Sequence, residues 1–492
     1  MGANTTLGAD DFTAHPFEVL TTTTNTFTIS LTNPAAGVTT TENNVTGMSN
    51  GGSLQITPYA EVGPTTQTLG YGWGTYLWSD STWGTARTTS NVILEPGNWS
   101  LDNFGETLTA TIANGKSFTW DAGATNPRTN RATLMTGAPT SSRLTIVSET
   151  DRHLFHLGTE TTIGNAGTQD PMFIRFSDQE STSVYTPTST NTAGTFQLDK
   201  GNKIVAAVQG KDYILILTDQ AAYIAQFVGP PFTFSIRQVG TNCGCLGQHA
   251  LAFAQGAVYW MGTSGSFFQY DGTVKQLPCL VEDFVFTTGD GNLGLNFNSS
   301  EIVYAGHNSL YTEVNWFYPK SGSNQIDRVV TYNYGEASWY TGSLDRTTYQ
   351  DSDVFTEPYA TNYVAKDESG TNDPSDTPLF PISGITNKYG ATVYYEHEKG
   401  TDQINSTGTS AIAAFIRSSD FDIDDGEFLM SMRRFIPDYK QIVGNSLISL
   451  FISDFPSQQQ SVSPLGPFTV TSTTTKIDTR ARGRLLSVKI EN

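Results

Sequence analysis

From about residue 100 to 345 the chain repeats one local theme. A short run of β-branched and aromatic residues turns at Gly or Asp-Gly, and a second run returns. Tyr213-Ile214-Leu215-Ile216-Leu217 is followed by Ala222-Tyr223-Ile224-Ala225-Gln226-Phe227, and Ala257-Val258-Tyr259-Trp260-Met261 by Phe267-Phe268-Gln269-Tyr270-Asp271-Gly272. Val314-Asn315-Trp316-Phe317-Tyr318 then precedes Val329-Val330-Thr331-Tyr332-Asn333-Tyr334 and Trp339-Tyr340. Short apolar runs of these residue types, bounded by turn residues, specify strands. Phe268-Gln269-Tyr270-Asp271 and Val330-Thr331-Tyr332-Asn333 read as equivalent strand ends in successive units. Hairpins recurring every few tens of residues stack into blades. The expected fold is mainly β, with a β-propeller body, a small N-terminal β module and a C-terminal β region.

The rest of the chain divides around that body. Residues 1–60, rich in Thr, Asn and Gly, form the small module, with strands expected at Phe17–Leu20 and Phe27–Leu31. Residues 61–100 are a connector marked by Gly70-Tyr71-Gly72-Trp73-Gly74-Thr75-Tyr76-Leu77-Trp78 and Trp83-Gly84. Glycine allows close approach, and the aromatics need flat surfaces to cover. Residues 101–345 are the propeller body. Residues 346–410 hold an acidic surface insertion, from Asp345 to about Pro381, and a further hairpin. Residues 411–492 return to strands at Ala411–Arg417, Ser446–Ser453 and Leu485–Ile490 and close the body.

Charge bounds the partners. With 27 Lys and Arg against 47 Asp and Glu, the formal net charge is −20. Such a surface does not hold nucleic acid by neutralising phosphates. It serves solubility, or lines a path along which DNA slides without sticking. Cys243, Cys245 and Cys279 are too few for a disulfide scaffold and form no zinc pair, so buried thiols and folding in a reducing cytoplasm are expected. The N-terminus carries no basic region before an apolar run, and the longest apolar stretches are too short to span a bilayer.

Catalytic patterns are weak. His153 and His156 have the i, i+3 spacing of a helical metal site, but lie in a strand-like run where they face opposite sides. Asp420, Asp422, Asp424, Asp425 and Glu427 resemble a calcium loop, yet Asp425 and Ser431 stand where that loop needs Gly and Glu. No nucleophile elbow and no phosphate-binding glycine loop occurs, and Thr263-Ser264-Gly265-Ser266 reads as a hairpin turn. No enzyme activity, metal or cofactor is expected. Near the end, Arg433-Arg434 and Lys476 accompany Arg480, Arg482 and Arg484, which share one face if they lie in a strand. That face suits phosphate or, in so acidic a chain, the carboxylates of a neighbouring subunit.

Several segments together resemble a known family. They are Phe267-Phe268-Gln269-Tyr270-Asp271-Gly272-Thr273-Val274 through Leu277-Pro278-Cys279, and Glu313-Val314-Asn315-Trp316-Phe317-Tyr318-Pro319 with Asn324, Asp327-Arg328, Tyr332-Asn333-Tyr334 and Trp339-Tyr340. Asp424-Asp425-Gly426 with Arg434-Phe435-Ile436-Pro437-Asp438, and Gly466-Pro467-Phe468 before Arg480-Ala481-Arg482-Gly483-Arg484, complete the set. On these residues the chain resembles the tail nozzle, or packaged-DNA stabilisation, proteins of short-tailed bacteriophages. The resemblance implies a propeller body and a ring of six copies around a DNA channel in the virion tail, assembled in the host cytoplasm. Partners would be further copies of itself, head-to-tail adaptor proteins, tail fibres, spikes or needle, and viral DNA passing without sequence-specific binding. Relatives usually carry more sequence before the small module, so the resemblance implies a start inside that module, with a first propeller segment missing, supplied elsewhere or absent. On this reading Asp420, Asp422, Asp424, Asp425 and Glu427, with Asp351, Asp353 and Glu357, are candidates for the channel wall, and Arg480, Arg482 and Arg484 for subunit contact. A receptor- or glycan-binding tail protein using the Gly/Trp run is the alternative, and a propeller glycosidase a more distant one.

Overall fold

The computed structural model describes residues 97–121, 123, 132–230, 232–289, 292–323, 325–364, 391–400, 402–405, 408–412, 414–423, 428–439, 442, 444–455 and 464–492, together with short strands at 19–22, 27–29, 31–33, 38–40, 68–70 and 92–94. The chain forms two compact units, residues 1–373 with 387–399 and residues 374–386 with 400–492. It is mainly β, and the first unit has the stacked-blade architecture of a propeller body.

In the first unit two hairpins, Val19–Thr22 with Phe27–Ile29 and Leu31–Asn33 with Val38–Thr40, mark the small module. Strand Thr68–Gly70 pairs with Val92–Leu94. Five four-stranded antiparallel sheets then follow among the described residues, each an up-and-down meander. They begin at strands Trp99–Phe104, Ser142–Ser148, Ile204–Gln209, Leu251–Ala254 and Tyr304–Asn308. A sixth, three-stranded sheet joins Thr348–Gln350, Tyr359–Val364 and Ala391–Glu396. The first strand of each sheet packs against the first strand of the next. The expected insertion at 345–381 is therefore shorter in the fold: Thr348–Gln350 and Tyr359–Val364, both with β-forming Tyr and Thr or Val, lie inside it and pair. Residues 365–390 lie outside the described residues.

The interior explains why the sheets stack. Trp260 and Trp316, each on the second strand of its sheet, are fully buried. Each must satisfy its indole N–H, and each does so against a backbone carbonyl, Trp260 on Cys243 and Trp316 on Ala250. Trp316 of the fifth sheet thus bonds directly ahead of the first strand of the fourth. Phe267 packs 4.9 Å from Trp316 and 4.6 Å from Trp339. The segments Phe267–Tyr270 and Arg328–Asn333 are the third strands of successive sheets, the equivalence expected from their sequences.

The first sheet has an unusual polarity. Its buried residues on Trp99–Phe104, Thr107–Ile112 and Ser117–Asp121 all carry hydroxyls: Ser100, Thr109, Thr111 and Ser117. These face the second sheet, where Thr145 Oγ1 donates to Thr111 Oγ1 at 2.9 Å and Thr111 Oγ1 donates to Ser117 Oγ at 2.7 Å. The opposite face carries Leu101, Leu108, Ile112, Phe118 and Leu134, none fully buried.

The second unit has its own small core. Strands Phe415–Arg417, Leu485–Glu491, Ser446–Ser453 and Leu465–Val470 form a sheet in that order, and Met430–Phe435 pairs with Ile477–Gly483 as a ribbon. Ile448, Leu450, Val470, Ala481 and Leu486 are buried together. The strand expected across Ala411–Arg417 starts at Phe415, after a separate strand Gly408–Ala411.

Candidate functional site

The C-terminal ribbon presents the basic residues. Along Ile477–Gly483, Ala481 and Gly483 turn into the core, so Arg480 and Arg482 face solvent. Arg484 departs from the expected stripe. The strand ends at Gly483, and Arg484 sits half-buried in the tight link to Leu485–Glu491, its N–H donating to the Ser453 carbonyl. On the partner strand, the register shifts between Met432 and Arg434, and both Arg433 and Arg434 are exposed. Arg434 pairs with Asp478, whose carboxyl it holds below the usual range, and Lys476 lies 3.9 Å from the same carboxylate. Among the described residues Arg480 and Arg482 make no ion pair. The outcome is a mainly cationic face whose carboxylate, Asp478, is already engaged by Arg434 and Lys476, with Arg480 and Arg482 next along the same side of the strand.

The candidate wall acids divide. Asp420 and Asp422 are exposed, flanking a bridge from Phe421 to Leu486. Asp424, Asp425 and Glu427 lie outside the described residues. Asp351, Asp353 and Glu357 lie in the loop between Thr348–Gln350 and Tyr359–Val364. Asp351 is a clasp: its carboxylate accepts from Ser309 N and Oγ, and lies 3.1 Å from His307 Nδ1. The Gly/Trp run 71–84 also lies outside the described residues.

His153 and His156 are structural. They point to opposite sides of one strand, both fully buried. His153 bonds to Asp151 and Thr192, and His156 to Ser142 Oγ and Tyr185 OH. The Ser142–His156 contact of 2.9 Å has the form of a nucleophile–base pair. However, neither group reaches solvent, and the far side of the imidazole meets Tyr185, not a carboxylate. Burial pushes the His156 pKa down to about 3, helped by the nearby Arg175. The thiols are equally inert: burial pushes Cys243 up to about 11 and Cys245 to about 12. Among the described residues no group of three or more His, Cys, Asp or Glu is placed to hold a metal, and no helix is long and apolar enough to cross a membrane.

One centre was not legible in the sequence. Glu301, just before the fifth sheet, accepts from Arg143 of the second sheet at 3.3 Å and from Lys203, ahead of the third, at 2.7 Å. Its backbone carbonyl accepts from Asn98, ahead of the first sheet, at 2.9 Å. Ahead of the fourth sheet, Gln248 donates to Ser100 and His249 bonds the Trp99 carbonyl. Five sheets are thus tied at the starts of their first strands. The arrangement is a fastening.

Comparison with known proteins adds little. No protein-family model and no curated protein matches the chain. Among solved structures it is similar to the extracellular domain of a one-component system from B. thetaiotaomicron, at 10% identity and a TM-score of 0.32, over 54% of this chain and 31% of that one. It is also similar to a functionally unknown protein from Desulfotomaculum acetoxidans, at 9% identity and a TM-score of 0.33, over 51% of this chain and 72% of that one. A third is a Synechocystis apocarotenoid oxygenase, at 10% identity and a TM-score of 0.27, over 52% of this chain and 60% of that one. This chain spans about a third of the length of the first.

Proposed function

We propose that the chain is a structural subunit of a short-tailed phage tail, a nozzle protein. Copies of it form a ring whose channel retains packaged DNA and passes it on ejection. The observation that carries this reading is the run of stacked four-stranded sheets from Trp99 to Gly342. Of the sequence segments that resemble the nozzle family, the first two fall on strands of that run, at Phe267–Tyr270, Glu313–Tyr318 and Arg328–Asn333, and the other two belong to the second unit. The fully buried His153, His156, Cys243 and Cys245 are consistent with a structural role. Asp420 and Asp422 remain candidates for a wall that repels phosphate. Like charge prevents long-lived contacts, and salt screens it beyond about 8 Å.

The test is location and loss. A tag on the C-terminus should appear in rings at the tail axis of imaged particles, and particles made without this chain should lose their genome. Asp420→Lys with Asp422→Lys should slow ejection, most at low salt. Particles that lack the chain, or that keep and eject DNA normally without it, would overturn the reading.

A second reading has one observation in its favour. A cleft of about 400 Å³ is lined by Phe104, Thr107, Thr119, Asp121, Thr133, Glu180 and Thr182. Hydroxyls and carboxylates beside one ring suit a sugar. Saturable glycan binding lost in Phe104→Ala would favour a glycan-binding tail protein.

A further inference from the structure

The hairpin tips of the fifth and sixth sheets are fastened side by side. Ser309 Oγ donates to Asp351 Oδ1 at 3.1 Å and lies 3.2 Å from Ser352 Oγ. Large apolar side chains stand in solvent on both tips: Leu310 and Tyr311 on one, Val354 (88% exposed) and Phe355 (57%) on the other. Behind them Phe355 meets Tyr359 edge-on at 4.8 Å, and Tyr359 stacks on Tyr394 at 4.9 Å. Carboxylates surround this strip. Asp353, Glu396 and Glu398 are exposed and Glu357 is half-buried. Lys399, paired with Glu396, is the only amine in the 391–400 segment.

A wall that DNA slides along has no use for Val354 and Phe355 in water. Contiguous apolar surface rimmed by charge marks a protein contact. Aromatic faces beside carboxylates define what that contact takes. A guanidinium stacks on the ring and bonds the carboxylate in a fork, which a sugar or an ammonium does less well.

We propose that these two tips form the acceptor for an arginine strand, and that the strand is Ile477–Gly483 of a second copy of this chain. Arg480 and Arg482 stand about 7 Å apart on one exposed face, with no ion pair in their own chain among the described residues. The acceptor has the complementary sign, and the chain as a whole is at −20. A contact between two different patches repeats head to tail and closes into a ring when the rotation allows. The inference deepens the ring reading above and rests on it, while naming the residues on each side.

The experiment uses the purified full chain, with mass in solution measured at low and high salt. The wild-type chain should assemble, and salt should weaken assembly. Arg480→Glu with Arg482→Glu should weaken it about tenfold or more, as should Asp353→Arg with Glu357→Arg. A chain carrying all four changes should assemble again. Thermal unfolding of each variant shows that it is folded. Assembly unchanged by either reversal, or not restored by the four changes, would overturn the contact. So would a wild-type chain that stays monomeric, even if tagging placed it in the tail and left the tail reading standing. A reversal that lowers the unfolding temperature of the monomer would place the pairing within one chain and overturn the proposal. Glycan binding lost in Phe355→Ala, with assembly untouched, would assign the strip to sugar instead.

Discussion

The ammonium of Lys203 and the carboxylate of Glu301 lie 2.7 Å apart although 98 residues separate them in the chain. Arg143, nearly buried, meets the same carboxylate from another sheet. Glu301 is thus the shared counter-ion for two cations. Glu301→Ala leaves the Arg143 guanidinium buried without it, which costs about 3 kcal/mol. Lys203→Ala removes a cation that is one-third exposed and costs less than about 1 kcal/mol. Denaturant unfolding of both variants checks the ordering; equal losses would mean that Glu301 does not serve Arg143.

Buried imidazoles set an acid limit on the fold. Burial holds His156 at about 3, His249 at about 4 and His397 at about 4. In the unfolded chain each protonates near about 6.5. Below that pH the unfolded state therefore binds protons that the folded state refuses. Stability is full above about pH 6.5 and falls as pH drops from there towards 4, by up to about 1.4 kcal/mol per pH unit for each such histidine. His156→Gln should flatten this slope by roughly that amount even if it lowers stability at pH 8. Unfolding free energy measured from pH 8 to pH 4.5 decides it; an unchanged slope would mean that His156 titrates alike in both states.

Much of the fold was open to reading because the second strands of the third to fifth sheets, Ile214–Thr218, Ala257–Met261 and Glu313–Tyr318, are buried on both faces. Tyr213 to Leu217 and Val314 to Tyr318 read as strands from composition alone. The site was less legible. Arg484 reads as the third member of a stripe, since spacing does not reveal where a strand stops. Glu301 is one acid among 47, and its role exists only where five chain segments converge. The first sheet was hidden for a different reason. Thr107 to Ile112 alternates cleanly, but alternation does not say which face turns inward, and here the hydroxyls do.

The Cys243-Gly244-Cys245 motif is held by its glycine. A Cβ on Gly244 would stand 2.0 Å from the Asp219 carbonyl oxygen, backbone against backbone. No side-chain rotation relieves that contact. Gly244→Ala should cost about 1–3 kcal/mol, the range of an overpacked core. Cys245→Ala removes one buried sulfur and should cost less. Paired unfolding curves test the order, and a tolerated alanine at 244 would show that the turn can open.

The hydroxyl layer between the first two sheets should behave as a unit. Thr111 Oγ1 accepts from Thr145 and donates to Ser117, so one hydroxyl satisfies two partners in a place water does not reach. Thr111→Val keeps the shape but orphans both neighbours. A buried hydroxyl without a partner costs about 1–3 kcal/mol. Thr145→Val takes away one donor and leaves the Thr111–Ser117 bond in place, so it should cost less than Thr111→Val. Groups in one network do not add, so the doubly substituted chain should lose less than the sum of the two single losses, by about 0.5 kcal/mol or more. A double-mutant cycle in denaturant measures that coupling. Strict additivity would mean that the two threonines are solvated separately, and the first sheet would then be held to the second by Asp102, whose carboxylate accepts from the Val147 N–H at 2.7 Å.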